Sequence, residues 1–453
     1  MHMRILSIVL AVSMSGATGS VLPVPMQRRI ATSETRVDAR ELLAASRGVA
    51  APVCALAADG ASNGWGGSWD APDVAVRADV HELVRGLRRA TLTREEVQAL
   101  LDALGSDDAC VRHMAGTLIG RSEDRTFVPA LLGKLGSNAP FERAGALRAL
   151  GLLGDKSSVN AIVRALHDAT PAVRANAAWA LGHIGDRSTA SAVADLATDD
   201  SPEVRSAAIV TLGQLEAADN VEILLRVLKD DDSPSVRRVA AWALGQIEAR
   251  PAAVGLGNAL RTDKSADVRE MAGWALGEMN ARDLSELLVA AAKNDDAIEV
   301  RETAAWALGQ IGVKKSADAL AEVVASDRSS RVRGTAAWAI GQLNPQRAPR
   351  ALLTALRDSD DDVRLKAAWA LSQIGDADVV PDVTAALKAE QRDRVRQALV
   401  RALLESGDRS SEVFSDLLES RDKATREMAV RALAGRRGPW PWPWPWPRPR
   451  PFP

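Results

Sequence analysis

Ala177-Ala178-Trp179-Ala180-Leu181-Gly182 is a six-residue stretch that this chain repeats almost unchanged. It returns at 240–245, 304–309 and 336–341, with looser copies at 272–277 and 367–372. In every copy the Trp follows a Val-Arg pair, six residues after the Val. A unit that recurs at fixed spacing cannot bury its apolar face alone; it must stack on its neighbours, so the repeat decides the fold.

The Val-Arg pairs stand at 111–112, 173–174, 204–205, 236–237, 268–269, 300–301, 332–333, 363–364 and 395–396. Glu142-Arg143 fills the first gap, and Thr425-Arg426 is a degenerate last copy. The arginines are 30 to 32 residues apart, which predicts about eleven units over 93–435. Each unit reads as two helices. The first is an apolar-periodic run such as 221–228 or 285–292. The second carries Val-Arg and the Trp motif. Asp108, Thr170, Ser201, Ser233, Ser265, Ser329 and Asp360 stand three positions before their Val, where a side-chain oxygen caps free helix N–H groups. Pro171, Pro202 and Pro234 follow their caps at the first helical position. Gly185, Gly312 and Gly375 fall where second helices should stop.

These features resemble the HEAT-repeat family, in its short bacterial form named after the phycobilin lyases. The turn and second helix at 199–208 carry the likeness most clearly. The resemblance implies an all-α fold, a right-handed α–α superhelix of two-helix repeats. It also implies that Arg174, Arg205, Arg237, Arg269, Arg301, Arg333, Arg364 and Arg396 form a structural ladder with the Asp of the preceding turn, and that second helices line a concave face. Function follows only weakly from such a fold.

Helix geometry gives the Trp residues a direction. With Val173 at zero and about 100° per residue, Ala177, Ala180, Leu181 and Ile184 cluster near 20°. Trp179 points about 140° away from them. The same holds for Trp242, Trp274, Trp306, Trp338 and Trp369, with Val210 as the interior gap and Arg148, Arg401 and Arg431 at the ends. One turn beyond each Trp comes a polar residue: Gln246, Gln310, Gln342 and Gln373, with His183 and Glu278 as variants. On a concave face this predicts a row of exposed plates flanked by amides, suited to an extended peptide. It is similar to the Trp–Asn arrays of armadillo-type import receptors. The competing reading has each indole lying flat across neighbouring helices and sealing Ala-rich seams.

The remaining segments read differently. Residues 1–19 have the form of a secretory signal, with Arg4, the apolar run 5–12 and small residues after it. That predicts an exported protein of the periplasm or cell envelope. Residues 20–76 read as a loosely ordered arm with a short helix at 40–46 and a flexible run at 60–69 containing Trp65 and Trp69. Residues 77–92 read as a lead-in helix. Cys54 and Cys110 either form one disulfide, as export permits, or remain two thiols. Residues 436–453 alternate Pro with Trp440, Trp442, Trp444, Trp446, Arg448, Arg450 and Phe452. Alternating Pro denies regular backbone bonding, and the composition suits a membrane interface or an aromatic groove.

Chemistry is sparse. The 5 His are scattered, the 12 Trp are placed by the repeat, and the net charge is −2. No metal-ligand spacing, phosphate loop or nucleophile motif stands out, so no metal or cofactor is expected. The charge gives no basic field for nucleic acid. The expected function is a non-enzymatic scaffold for a protein or peptide partner. The alternatives are a phycobilin-lyase-like enzyme or pigment chaperone, and a surface protein tethered to a membrane through its Trp-Pro tail.

Overall fold

The computed structural model describes residues 38–47 and 92–407, with isolated positions at 418, 419, 423, 426, 427, 429 and 430. The expectations for 1–37, for most of the arm, for the lead-in helix and for the 436–453 run lie outside the described residues. Among those described there are α-helices and short 3-10 turns and no strands. The chain is an α–α solenoid of two-helix repeats. The described residues fall into two compact units, divided between residues 220 and 221.

The repeat centred on Trp306 shows how sequence becomes structure. A 3-10 turn at Arg282–Leu284 leads into the first helix, Ser285–Asn294, and Ile298–Ile311 is the second. Leu288 and Ala292 from the first helix and Val300, Ala304, Ala307, Leu308 and Ile311 from the second are buried. These are the i, i+4, i+7/8 positions of amphipathic helices. Gly312 then takes φ +67°, the left-handed conformation that ends the helix without a Cβ clash. Gly185 and Gly375 end their helices the same way, at φ +72° and +65°. At equivalent ends Glu216, Glu248, Asn280 and Asn344 also take positive φ.

The seven candidate cap residues all occupy N-cap positions. Only Asp108, Ser201 and Asp360 bond the helix with their side chains. Thr170, Ser233, Ser265 and Ser329 do not. There the work passes to an Asp two residues earlier, whose Oδ1 accepts the backbone N–H of the cap residue. Asp327 accepts from Ser329 at 2.8 Å, and Asp263 from Ser265 at 2.8 Å. The Asp thereby fixes the turn itself.

The same carboxylates hold the arginine ladder. Arg301 Nη1 donates to the carbonyl of Asp295 in its own turn at 2.9 Å, and Nε to Asp327 of the next turn at 2.7 Å. Arg174, Arg237, Arg269, Arg333 and Arg364 bridge to the following turn likewise, Arg364 reaching Glu390 where others find Asp. Arg205 and Arg396 make the same bond to the carbonyl six residues back, at 2.8 and 3.0 Å. A planar guanidinium suits this fork, because it satisfies two turns at once. The Arg333 guanidinium holds the Asp358 carboxyl below its usual range. The expected pairing with the Asp of the preceding turn is thus corrected in part: that Asp offers its backbone carbonyl, and the carboxylate partner stands in the following turn.

The arm is firmer than its composition suggests at one place. Ala39–Ser46 is a helix capped by Asp38. It packs on helices Arg94–Ala103 and Ala109–Arg121, burying Ala39 and Leu43. The Ala39 N–H donates to Glu96 Oε1 at 3.3 Å, and Glu96 also closes a capping box with Thr93. Cys110 is disulfide-bonded; Cys54 lies outside the described residues.

Candidate functional site

The face of the second helices carries the residues singled out by the repeat. Its Trp residues do not form exposed plates. Trp242, Trp274, Trp306, Trp338 and Trp369 are 7%, 9%, 5%, 1% and 6% exposed, and Trp179 is half-buried. The expectation of an open aromatic row is therefore corrected in favour of seam-sealing.

The reason lies in the glycine of the same motif. A Cβ placed on Gly245, Gly277, Gly309 or Gly341 would stand 2.9, 2.8, 2.9 or 2.5 Å from Cζ3 of the Trp in the next repeat. It would also meet the Ala after that Trp, with its Cα at 3.1, 3.2, 3.0 or 2.8 Å. These second helices thus approach backbone to backbone, and the indoles of Trp274, Trp306, Trp338 and Trp369 each lie over the glycine of the preceding repeat. The helical wheel compares a helix with one partner. The second helix 298–311, for example, packs against its own first helix and the second helices on either side, so a residue opposite the main stripe still finds a neighbour. Trp338 and Trp369 stack with centroids 6.5 Å apart and planes 15° apart. In the first unit Arg148 lies 4.8 Å over Trp179, and His183 stacks on its ring at 3.8 Å. Where Val210 replaces Trp, the Thr211 hydroxyl fills the seam and donates to the carbonyl of Ala178 at 2.9 Å.

The polar row behaves differently. Gln246, Gln310 and Gln342 are exposed, and none of the hydrogen bonds found among the described residues uses their amides. Gln373 is half-buried, with Nε2 3.2 Å from the Ser372 hydroxyl. Sequence reading grouped Trp and Gln into one surface. The structure separates them into a buried layer and an exposed edge.

A feature the repeat motif did not reveal lies beside this edge. Helices Ala266–Glu278 and Ile298–Ile311 present Asp267, Glu270, Glu278, Glu299 and Glu302. Their basic residues, Arg269 and Arg301, belong to the ladder. Burial first, then Glu299 and Asp267, push the Glu270 carboxyl up to about 7, against the opposing hydrogen bond from Thr303. Burial, then Glu248, raises Glu278. Thr303 Oγ1 is 3.4 Å from Glu270 Oε1, and Thr335 Oγ1 is 3.3 Å from Glu302 Oε1. Arg331 of the next helix pairs with Glu299 and Glu302. Glu278 belongs to the polar row read from the motif, whereas Asp267, Glu270, Glu299 and Glu302 occupy variable positions of the repeat, about which the motif was silent.

No group of His, Cys, Asp or Glu among the described residues could hold a metal ion. No described helix is long and apolar enough to cross a membrane. Two clefts, about 520 and 440 Å³, are lined in part by first-helix residues, including Asn160 and Arg164 in one and Thr354 in the other. In both, the ladder residues nearby (Arg143 with Asp168, Arg333 with Asp358) are already paired. The arrangement has the means to bond a backbone and attract a cation.

The sequence pattern of HEAT repeats matches residues 97–170, 159–245, 253–339 and 323–404. That of the PBS lyase HEAT-like repeat matches 236–262. Among solved structures, yeast importin-β (Kap95p) is similar, with a TM-score of 0.53 at 15% identity over 96% of this chain and 73% of its own. A structure describing Kap95p binding to RanGDP gives a TM-score of 0.53 at 14% identity, covering 96% of this chain and 72% of that one. At such identities the likeness concerns the fold alone. No curated protein matches the chain.

Proposed function

Because the chain belongs to the HEAT-repeat family, we propose that it is a non-enzymatic scaffold that holds an extended protein segment along its second helices. Solenoids of this fold are typical of protein-interaction scaffolds, since stacked repeats create long continuous surfaces. Kap95p, which shares the fold, binds RanGDP. The observation that carries the reading is the row of exposed amides at Gln246, Gln310 and Gln342, free of bonds within the described residues. A primary amide donates and accepts, which matches the alternating N–H and C=O of an extended backbone. In this reading the Trp residues act from below: they fix the spacing of the helices that carry the amides. The signal-like 1–19 segment and the disulfide at Cys110 support a protein exported to the periplasm or cell envelope.

The test is selection of binders from a library of extended peptides, followed by variants. Replacing Gln310 and Gln342 with Ala should weaken a selected peptide about thirtyfold, at about 1 kcal/mol for each lost amide. Lys315→Ala, on the turn before a first helix, should leave it unchanged. Binding that survives the double Gln variant, or that Lys315→Ala alone removes, would sink the reading.

A further inference from the structure

We infer that the occupant of the second-helix face in the 221–453 unit is the chain's own Arg-bearing Trp-Pro segment, residues 438–453, supplied in cis or by a second copy. The inference rests on the scaffold reading above and gives it a specific ligand. Three observations converge on it.

The first is the unpartnered face itself. Gln246, Gln310 and Gln342 stand exposed one turn beyond Trp242, Trp306 and Trp338, with no bond among the described residues to hold their amides. In the 438–453 segment Pro occupies every second position from 439 to 453. Proline has no N–H, so this segment is rich in carbonyls that seek donors and poor in donors of its own. Side-chain amides supply those donors where a strand edge, needing both partners, would fail.

The second is charge. The two central helices of the face present Asp267, Glu270, Glu278, Glu299 and Glu302, and among the described residues Arg331 from the following helix pairs with Glu299 and Glu302. Arg238 stands one repeat earlier at the position equivalent to Glu270. From Lys423 onward Glu427 is the last acidic residue, while Arg436, Arg437, Arg448 and Arg450 follow. An Arg fork entering beside Glu270 and Glu302 would relieve the repulsion among these carboxylates and gain charge-assisted bonds.

The third is reach. Fifteen residues in a polyproline conformation extend about 46 Å. Helices packed about 10 Å apart place the 298–311 helix roughly 30 Å from the 393–405 helix, and the 266–278 helix roughly 40 Å. A segment of this length spans about four such repeats, comparable to the distance from the 393–405 helix to the acidic pair, and an extended ligand matches a row of repeats better than a compact one.

The experiment uses the full chain with a photo-crosslinking amino acid at position 310, and at position 315 as a control on the other side of the repeat. Crosslinked peptides are identified by mass spectrometry, with isotope-mixed protein separating cis from trans. Position 310 should link to residues 438–453, and position 315 should not. Arg448→Ala with Arg450→Ala, which leaves the array untouched, should cut the yield about tenfold, the loss of two partly screened ion pairs. Absence of the link, its equal appearance at position 315, or its survival in the double Arg variant would overturn the inference. Sedimentation of the same proteins with phosphatidylglycerol vesicles supplies the contrasting outcome. Arg-dependent vesicle binding without a link at 310 would assign the segment to a membrane surface instead. If the segment fails to dock while a selected peptide still depends on Gln310 and Gln342, the scaffold reading stands and only the identity of the ligand falls.

Discussion

Gly341→Ala tests the packing that decides the Trp residues' role. In an exposed helix Gly→Ala stabilises by about 1 kcal/mol, because the unfolded chain loses freedom. At position 341 the new Cβ would stand 2.5 Å from Trp369 Cζ3 and 2.8 Å from the Ala370 Cα. The indole has little room to tilt, since its other neighbour is the stacked Trp338 ring. The Cα cannot move without opening the seam between helices 330–343 and 361–374. Overpacking of this kind costs about 1–3 kcal/mol. With backbone as one obstacle the upper end applies, and the net loss should be about 2 kcal/mol after the propensity gain. Gly133→Ala is the control: it is exposed, with nothing within 4 Å of the added Cβ. It should gain about 0.5–1 kcal/mol. Urea unfolding followed by circular dichroism at 222 nm reads both signs. In the Trp369→Ala background, itself about 3–5 kcal/mol less stable, the Gly341→Ala penalty should fall by about 1 kcal/mol or more, because half the obstacle has gone. If Gly341→Ala stabilises the protein as Gly133→Ala does, the helices are not in backbone contact and the buried-Trp account fails.

Three further outcomes follow from the same structure. Arg301→Ala strands the nearly buried Asp327 carboxylate, and should lower stability by about 1–3 kcal/mol in urea titration, with Arg301→Lys recovering only part because it lacks the fork. Glu248 sits at φ +50°, so Glu248→Gly should raise the melting temperature by relieving about 1 kcal/mol of left-handed strain, whereas a fall would show that its side chain matters more. The Glu270 carboxyl titrates at about 7 against an ordinary value of 4.5, with Glu299, Asp267 and Glu302 opposing its ionisation and Thr303 favouring it. A raised folded value means that stability is full below the ordinary value and is lost as pH rises through about 7. The melting temperature should therefore fall from about pH 4.5 to about pH 7 and level off above that, and Glu270→Gln should flatten the slope; an unchanged slope in the variant would assign the titration elsewhere.

Much of the fold was legible because a repeat states its own solution many times over. The Val-Ala-Leu-Ile stripe, the Pro at helix starts and the Gly at helix ends each express local rules that need no partner. Elements such as Ser285–Asn294 and Ile298–Ile311 accordingly appear where periodicity places them. The helix at 39–46 was visible as a pattern, but its docking through Ala39 and Glu96 joins residues 57 apart and left no local mark.

The candidate site divides along the same line. The sequence by itself determined the repeat, the spacing of the ladder arginines and the register of Trp, Gly and Gln on the second helix. Only the tertiary structure decided that the Trp goes inward and the Gln stays out. The partner of Trp338 is Gly309, in the preceding repeat, and what matters there is a missing side chain. Likewise Glu270 owes its environment to Glu299 and Thr303 on the next helix. A helical wheel carries one direction of burial, but a solenoid helix is enclosed by three neighbours. The physical cause of burial is the distance to those neighbours, a quantity that exists only once the repeats are stacked.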